Sequence, residues 1–304
     1  MTLLKKLMRS LRRIPLVARL DWKLYLLRDW WSTRVWTRAS QAETPLGFKL
    51  ATKAHPAYRL MQSGQFEPEE TRILQHLFEE SDVFVDIGAN VGYYCCLALR
   101  HGKSVLAFEP QLQNLACLYH NLAANGWEDR VEVFPLALAA KPGLLPLFGA
   151  SGPSASLVRD WAGYSPGFRQ TVPVNTLDNI LVGRFEDSRL VIKIDVEGAE
   201  YHVLRGAIST LSRTTRPTWL IEVCFTEYHP GGTNPDFLRT FQLFWDHGYH
   251  CYGADSQCTP IDATDVSRWI TSGMRDLKTF NYVFAAPEAG FRLPRSSPAS
   301  TSDG

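Results

Sequence analysis

Apolar and polar positions repeat in a regular order between residues 66 and 286. Short apolar runs bounded by turn residues predict buried strands at Val83–Ile87, Ser104–Phe108 and Leu190–Ile194. Amphipathic stretches predict helices at Tyr93–Arg100 and Leu112–Asn125. The same patterns predict further strands at 131–136, 218–224, 249–252 and 280–285, and further helices opening at 67–70 and spanning 199–211 and 235–247. This alternation indicates an α/β fold, in which a mostly parallel sheet carries helices on both faces.

The first 40 residues have a different pattern. Apolar residues recur there at three- and four-residue spacings between basic ones, until Pro15 interrupts the period. This segment contains ten basic and two acidic residues, whereas residues 41–304 contain 22 basic and 29 acidic residues. We therefore predict a basic amphipathic helical extension over residues 1–65. Such an extension either contacts a membrane surface or an acidic partner, or packs on its own acidic body or on a sister subunit.

Residues 141–173 do not continue the alternation of predicted strands and helices. They contain five glycines, five prolines and four serines, which predicts either a mobile loop or short irregular strands over a site. Aromatic residues such as Trp161 in this segment suit a sugar face or an apolar scaffold, and core packing explains them equally well. Residues 287–304 are rich in serine and proline and are predicted to be disordered.

Composition excludes several classes of protein. The 304 residues are 45% hydrophobic, which excludes a mainly disordered chain, and no apolar run is long enough for a membrane span. The six cysteines form no CxxC pair, which favours reduced thiols and a cytoplasmic location, with membrane association through the extension as the alternative. The acidic body disfavours a broad nucleic-acid surface.

A glycine turn follows the first predicted strand, in residues 86–92 (DIGANVG). Gly88 and Gly92 allow a tight turn, and Asn90 tolerates a left-handed backbone. This is not the dinucleotide motif GxGxxG, and Asp86 would repel a pyrophosphate but attract a cationic ligand. A ligand-binding turn and a plain strand-to-helix connection are both compatible with this segment alone.

Carboxylates also follow the next strands. Glu109 ends the second strand, where an acid can accept hydrogen bonds from both hydroxyls of a ribose. Asp195 and Glu197 follow the strand Leu190–Ile194. Burying several acids at one turn is costly unless they bind a cationic ligand, a substrate hydroxyl or a metal. No cluster of histidines and cysteines supports a tight metal site, so no metal is predicted.

The following strand brings further candidates. Glu222 ends it, and Glu227 and His229 lie in the loop beyond. Glu197, Glu222 and Glu227 are candidates for contact with the substrate. His229 is a candidate general base because the pKa of histidine lies near neutrality, although a loop histidine is more commonly a surface residue.

Four motifs in this order, DIGANVG (86–92), FEP (108–110), VNTLD (174–178) and KIDVEGAE (193–200), resemble the FkbM-type family of S-adenosylmethionine-dependent methyltransferases. The resemblance implies a class I Rossmann-like methyltransferase domain over residues 66–286 with a mostly parallel seven-stranded sheet. It implies that S-adenosylmethionine is held by the glycine turn, by Glu109 and by Asp195. The implied reaction is O-methylation of a hydroxyl on a sugar, glycan or natural product.

For this reaction we expect Asp195, and after it His229, to act as the base that removes the proton of the hydroxyl. Three alternatives stay open at this point. The chain could be a non-catalytic cofactor-binding partner of a biosynthetic enzyme, or methylate nitrogen or carbon. A nicotinamide-dependent oxidoreductase is disfavoured by the missing GxGxxG. A homo-oligomer is a further expectation that the sequence leaves open.

Overall fold

A computed structural model describes residues 41–52, 56–149, 154–163 and 169–289 of the chain. The predicted basic helix within residues 1–40 and the tail from residue 290 lie outside these ranges. The described strands are β1 (Ala42–Glu43), β2 (Lys49–Leu50), β3 (Val83–Ile87), β4 (Ser104–Phe108), β5 (Val131–Phe134), β6 (Ala137–Leu138), β7 (Gly143–Phe148), β8 (Arg169–Asn175), β9 (Leu190–Ile194), β10 (Thr218–Glu222), β11 (His250–Gly253), β12 (Pro260–Ile261) and β13 (Asn281–Ala285).

The helices lie between these strands. The described α-helices are α1 (Pro56–Gln62), α2 (Pro68–Glu80), α3 (Tyr93–Arg100), α4 (Leu112–Asn125), α5 (Leu177–Leu181), α6 (Glu200–Leu204), α7 (Ile208–Leu211), α8 (Phe237–Asp246) and α9 (Ala263–Ser272). In this part of the chain, no helix has both the length and the apolar character needed to cross a bilayer.

The central sheet has the strand order β12-β11-β13-β10-β9-β3-β4-β5. The pairs from β10 to β5 are parallel, and β13 pairs antiparallel with both β10 and β11. A mostly parallel sheet is therefore confirmed. The predicted count of seven strands is wrong, because the short edge strand β12 adds an eighth among the described residues; two residues are too few to give a recognisable hydrophobic period.

Both faces of this sheet are buried. In β3, Val83, Val85 and Ile87 pack in one hydrophobic core, while Phe84 between them packs in the other. Alternate residues of a strand point to opposite faces, so a strand covered on both sides needs apolar residues throughout. This explains why the apolar runs of the sequence located the central strands to the residue.

Residues 41–52 and 56–65 contribute to the second of these cores. β1 and β2 form an antiparallel hairpin, and Phe48, Leu50 and Tyr58 are buried in the core with α2 and α3. The side chain of Asn121 in α4 accepts a hydrogen bond from the backbone of Ala51 at 2.7 Å. The described end of the predicted extension is therefore packed on the rest of the domain.

The glycine- and proline-rich segment forms a small sheet of its own. β7 and β8 pair antiparallel along six residue pairs, and β6 joins β8 in parallel. Of the two predicted alternatives, the short strands are observed. The described residues between β7 and β8, 154–163, contain the buried Trp161 and reach the carboxyl end of the central sheet.

The single helix predicted over 199–211 is wrong. Two short helices, α6 and α7, occupy this stretch, with Gly206 between them. A Cβ on Gly206 would lie 2.3 Å from the carbonyl oxygen of Ala139, so only glycine fits where this connection passes the neighbouring segment. The carbonyl of Gly206 instead accepts a hydrogen bond from the backbone of Asp178.

Candidate functional site

A cavity that is partly open to solvent lies at the carboxyl ends of β3, β4 and β9. Ligands of open α/β sheets bind at this edge. The charged side chains in its lining are Glu109, Lys193, Asp195 and Glu197, and the rest of the lining is largely apolar or aromatic.

The glycine turn brings two strand ends together. Gly88 has a φ of +94°, and a Cβ on it would lie 2.0 Å from the carbonyl oxygen of Asp195. The backbone of Asp195 donates to the carbonyl of Ile87 at 3.0 Å. Only glycine fits here, because a side chain would separate the turn after β3 from the acidic turn after β9.

Glu109 joins the glycine turn to the end of β4. One of its carboxylate oxygens accepts the backbone N–H of Asn90 at 2.9 Å, and the other accepts that of Gln111 at 2.8 Å. Asn90 has a left-handed φ of +51°, as expected from its position in the turn. Glu109 also belongs to the lining of the cavity, and a carboxylate at this place is suited to accept hydrogen bonds from ligand hydroxyls.

Asp86 lies behind the cavity wall. Its side chain is 1% exposed and accepts a hydrogen bond from Cys95 Sγ at 3.1 Å. Burial raises the pKa of Asp86 to about 6, against the opposing positive charge of Lys193 and the hydrogen bond from Cys95. Gly92 also lies outside the lining. It precedes the first residue of α3 with a φ of +86°, and a Cβ on it would lie 2.3 Å from the side chain of Leu118.

Lys193 is a buried cation among acids. It is 3% exposed, its Nζ donates to Asp195 Oδ2 at 2.7 Å, and it lies 4.9 Å from the ring centre of Tyr94. Burial alone would lower the pKa of Lys193, but the carboxylates of Asp195, Glu67 and Asp86 outweigh it and raise the pKa. The lysine therefore stays charged and holds the acidic turn in place.

Glu197 is held by the segment between β7 and β8. Trp161 Nε1 donates to its Oε2 at 2.7 Å, and Ser156 Oγ donates to its backbone carbonyl at 2.6 Å. The residue has a left-handed φ of +57°, an uncommon conformation for glutamate. Burial, and after it the charge of Asp195, raise the pKa of Glu197 to about 8, although the Trp161 hydrogen bond opposes the shift.

The loop after β10 lies beside this arrangement. Glu227 accepts the backbone N–H groups of Phe225 and Thr226 and forms an ion pair with Arg275 at 2.8 Å. Burial opposes ionisation, but these hydrogen bonds and Arg275 prevail and lower the pKa of Glu227. Its carboxylate is therefore occupied in shaping the loop.

Glu222 and His229 flank the same loop. Burial and the nearby charges of Asp195 and Glu197 raise the pKa of Glu222 well above its usual range. The ring of His229 packs edge-on against Trp161, with 6.0 Å between the centroids, and burial lowers its pKa. Neither residue belongs to the described lining of the cavity.

The structure thus brings together part of the predicted site. Gly88, Asn90, Glu109, Asp195 and Glu197 line one cavity, whereas the other predicted residues lie behind or beside it: Asp86, Gly92, Glu222, Glu227 and His229.

Three contributors were not assigned a role from the sequence: Lys193, Glu67 and the Trp161 hydrogen bond. Lys193 is the first residue of the motif KIDVEGAE. A lysine in a predicted buried strand could have been recognised as a partner for nearby acids. Glu67 accepts a hydrogen bond from Tyr94 at 2.7 Å, and nothing in its local pattern indicates this.

The sequence of these strand ends matches a known domain. The Methyltransferase FkbM domain matches residues 86–251, which is more than half of the chain and spans the glycine turn, Glu109 and the acidic turn. The chain belongs to the FkbM methyltransferase family. Its sheet is that of a class I Rossmann-like methyltransferase, as the resemblance implied.

Similar proteins include further methyltransferases. The hexuronic acid methyltransferase AglP of Haloferax volcanii is 27% identical over 150 residues, which cover 48% of this chain and 58% of that protein. The chain thus spans little more than half of the length of this curated relative.

Solved structures similar to this chain include an FkbM methyltransferase from Methylobacillus flagellatus, at 18% identity and a TM-score of 0.41. The match covers 68% of this chain and 44% of that one. An O-methyltransferase from Bacillus cereus in complex with SAH has 12% identity and a TM-score of 0.40, with 75% of this chain and 84% of that one covered.

The acidic side chains of the cavity fit a ribonucleoside that carries a positive charge. Glu109 supplies acceptors for hydroxyl groups, and the acids of the turn after β9 attract positive charge. Leu136 and Leu138, which follow β5, add an apolar wall. Among the described residues, no group of three or more histidine, cysteine or acidic side chains could hold a metal ion.

Proposed function

We propose that this protein transfers a methyl group from S-adenosylmethionine to a hydroxyl of a sugar, glycan or natural product. The observation that carries the proposal is the placement of Glu109 and the Asp195 turn on one cavity, with the Gly88 turn between them. This arrangement offers acceptors for a ribose on one side and negative charge for a sulfonium on the other. Membership of the FkbM family supports methyl transfer as the reaction.

Each part of the donor has a counterpart in the cavity. We assign the ribose hydroxyls to Glu109 and the methionine part to the turn that contains Gly88 and Asn90. Asp86 lies outside the cavity lining, near the end of β3, and we assign it a supporting role for this turn. Asp195 lies beside the reacting centre, with its orientation fixed by Lys193.

S-adenosylmethionine supplies a methyl group on a positively charged sulfur. The residues of the chain have to orient the acceptor oxygen in line with the bond that breaks, at about 3 Å from the methyl carbon, and exclude water. Residues 154–163, in which Ser156 and Trp161 bind Glu197, contact the acidic turn and contribute to this exclusion. Asp195 and His229 are the bases predicted from the sequence.

The acceptor is proposed from the curated relative. Its name describes methylation of a hexuronic acid, which is a sugar. A sugar is therefore the first acceptor class to test. Glu222 and Glu227 were predicted to contact the acceptor, and of these Glu227 is already engaged by Arg275 and two backbone amides.

Calorimetry with S-adenosylhomocysteine and, in parallel, NADH tests the cofactor. Binding of S-adenosylhomocysteine with no heat from NADH is expected, and binding of NADH alone would refute the methyltransferase proposal. A screen of glycan and lipid-linked sugar acceptors with a labelled methyl donor then identifies the substrate. Cofactor binding without transfer to any acceptor would favour the non-catalytic alternative, and label on nitrogen or carbon would correct the acceptor atom.

For the basic segment 1–40 we propose contact with an anionic surface, in a cytoplasmic protein that associates with membranes at their periphery. The support is its charge, ten basic residues against two acidic ones. Co-sedimentation with anionic vesicles, compared between the full chain and a chain lacking residues 1–40, tests this. Equal binding of both would contradict it.

A further inference from the structure

We propose that Glu197, rather than Asp195 or His229, accepts the proton of the acceptor hydroxyl during methyl transfer. This inference rests on the proposed function and names the proton acceptor of that same site. It corrects the order of bases that the sequence alone predicts.

Asp195 already forms an ion pair with Lys193. Its Oδ2 lies 2.7 Å from Lys193 Nζ, and the lysine is 3% exposed. Because Lys193 fixes one carboxylate oxygen of Asp195, this side chain has little freedom to turn toward a substrate hydroxyl. The pair suits the attraction and orientation of a cationic ligand.

His229 is also poorly placed. Its Nδ1 accepts the backbone N–H of Gly231 at 3.4 Å. Its ring packs edge-on against Trp161 and lies outside the described lining of the cavity.

Glu197 is fixed where a reacting oxygen can reach it. It lines the cavity, and its left-handed backbone is held by Ser156 Oγ at the carbonyl. Trp161 orients the carboxylate through one oxygen, Oε2, which leaves Oε1 for a substrate hydroxyl. Gly198 makes this possible, because a Cβ on it would lie 2.3 Å from the Trp161 ring.

The groups around Glu197 are mostly acidic. Asp195 and Glu200 come from its own turn, while Glu222, Cys224 and Tyr228 approach from β10 and the loop after it. Lys193 is the opposing cation and Trp161 the neutral donor. Burial and this negative surrounding raise the pKa of Glu197 to about 8, and a base with a pKa near the working pH is suited to general-base catalysis.

The step is balanced in charge and atoms. A lone pair of the acceptor oxygen forms the new bond to the methyl carbon as the carbon–sulfur bond breaks, and the electron pair of that bond remains on sulfur. The O–H proton passes to the Glu197 carboxylate. A positive sulfonium and a negative carboxylate thus become a neutral thioether and a neutral carboxylic acid, which a site of low polarity favours. Glu197 is half-buried, so it can return the proton to solvent when the product leaves.

The first test needs no turnover. In ¹⁵N-labelled protein without ligand, the indole N–H resonance of Trp161, assigned with Trp161→Phe, reports the charge of Glu197. We expect it to titrate with a midpoint near pH 8, to stop titrating in Glu197→Gln, and to titrate at lower pH in Asp195→Asn. Glu200→Gln is the matched buried-acid control and should keep the titration. A signal that is unchanged between about pH 6 and 9, or that titrates equally in Glu197→Gln, would overturn the proposal.

The second test uses turnover with an acceptor found in the screen. Glu197→Gln is expected to bind S-adenosylhomocysteine like wild type while kcat falls by about 100-fold or more and loses its rise with pH near 8. His229→Gln should keep both the rise and most of the rate. A Glu197→Gln enzyme within about threefold of the wild-type kcat contradicts the inference. Because calorimetry tests the cofactor separately, intact binding with this result would leave the proposed function standing and remove only the role of Glu197.

Discussion

Glu109 bridges two turns with one carboxylate, through the backbone N–H groups of Asn90 and Gln111. In Glu109→Gln one acceptor oxygen becomes an amide that faces an N–H donor, so one hydrogen bond is lost and the cavity loses a negative charge. We expect the affinity for S-adenosylhomocysteine to fall by at least about tenfold in calorimetry. The exposed Glu128→Gln is the control; an unchanged dissociation constant in Glu109→Gln would remove this residue from the cofactor site.

Gly198 allows a direct test of the Trp161 contact. Gly198→Ala would place a methyl group 2.3 Å from the indole ring at a φ of +91°, while Gly102→Ala has a similar φ of +81° with nothing within 4 Å. Both variants are strained, but only the first displaces Trp161. We expect Gly198→Ala to lose about 1–3 kcal/mol more stability in urea unfolding than Gly102→Ala and to shift the Trp161 indole resonance. Equal losses would mean that the ring moves aside freely.

At the residue scale, the sequence predicted the parts of the site that lie in consecutive motifs. Gly88, Asn90, Glu109 and Asp195 each follow a strand directly, so fold class alone places them at one edge. The Trp161–Glu197 hydrogen bond joins residues 36 positions apart from a segment without regular periodicity. No local pattern encodes such a contact, because it depends on how the small sheet packs on the large one.

At the element scale, the motif VNTLD (174–178) contributes to packing. Thr176 caps α5 by accepting the backbone N–H of Asn179, and Asp178 accepts the backbone N–H groups of Ser209 and Thr210 at the start of α7. Asp178→Ala should therefore destabilise the fold by about 1–2 kcal/mol in urea unfolding, without changing the affinity for S-adenosylhomocysteine. Asp187→Ala, at an exposed position, is the control. Weaker cofactor binding in Asp178→Ala at unchanged stability would point to a binding role instead.

The elements that the sequence located best are three buried strands and two helices that are bounded by turn residues. β3, β4, β9, α3 and α4 were predicted with the observed bounds. The predicted strand over 131–136 ends earlier, at Phe134, and the helix over 199–211 is interrupted at Gly206. At Gly206 a neighbouring backbone approaches and Asp178 donates to its carbonyl, a contact that the pattern of one segment does not record.

At the scale of the whole molecule, the buried acids tie stability to pH. Burial raises the pKa of Glu200 to about 7, and burial with nearby acids raises that of Glu197 to about 8. A carboxyl whose pKa is higher in the folded chain favours folding while protonated, so this stability is lost as pH rises from the unfolded value through the folded one. The pKa values of His101 and His229 are lowered, which acts oppositely but only below about pH 6.5.

We therefore expect Tm to fall as pH is raised from about 6.5 to about 8.5, measured by differential scanning calorimetry without ligand. The slope should be smaller in Glu200→Gln, because one of the shifted carboxyls is removed. A Tm that rises or stays constant over this range in the wild type would show that the acids are already charged at neutral pH.

The position of β13 has a consequence for biosynthesis. This strand, Asn281–Ala285, is the last of the sheet in the chain but lies between β10 and β11. The half that contains β3, β4, β5 and β9 is complete as soon as residue 194 has been made, and it can begin to fold on the ribosome. β10 and β11 instead keep an unpaired edge each until the final strand emerges and inserts between them. The sheet can therefore close only after β13 has been made, and until then the nascent chain exposes two unpaired strand edges that are prone to aggregation.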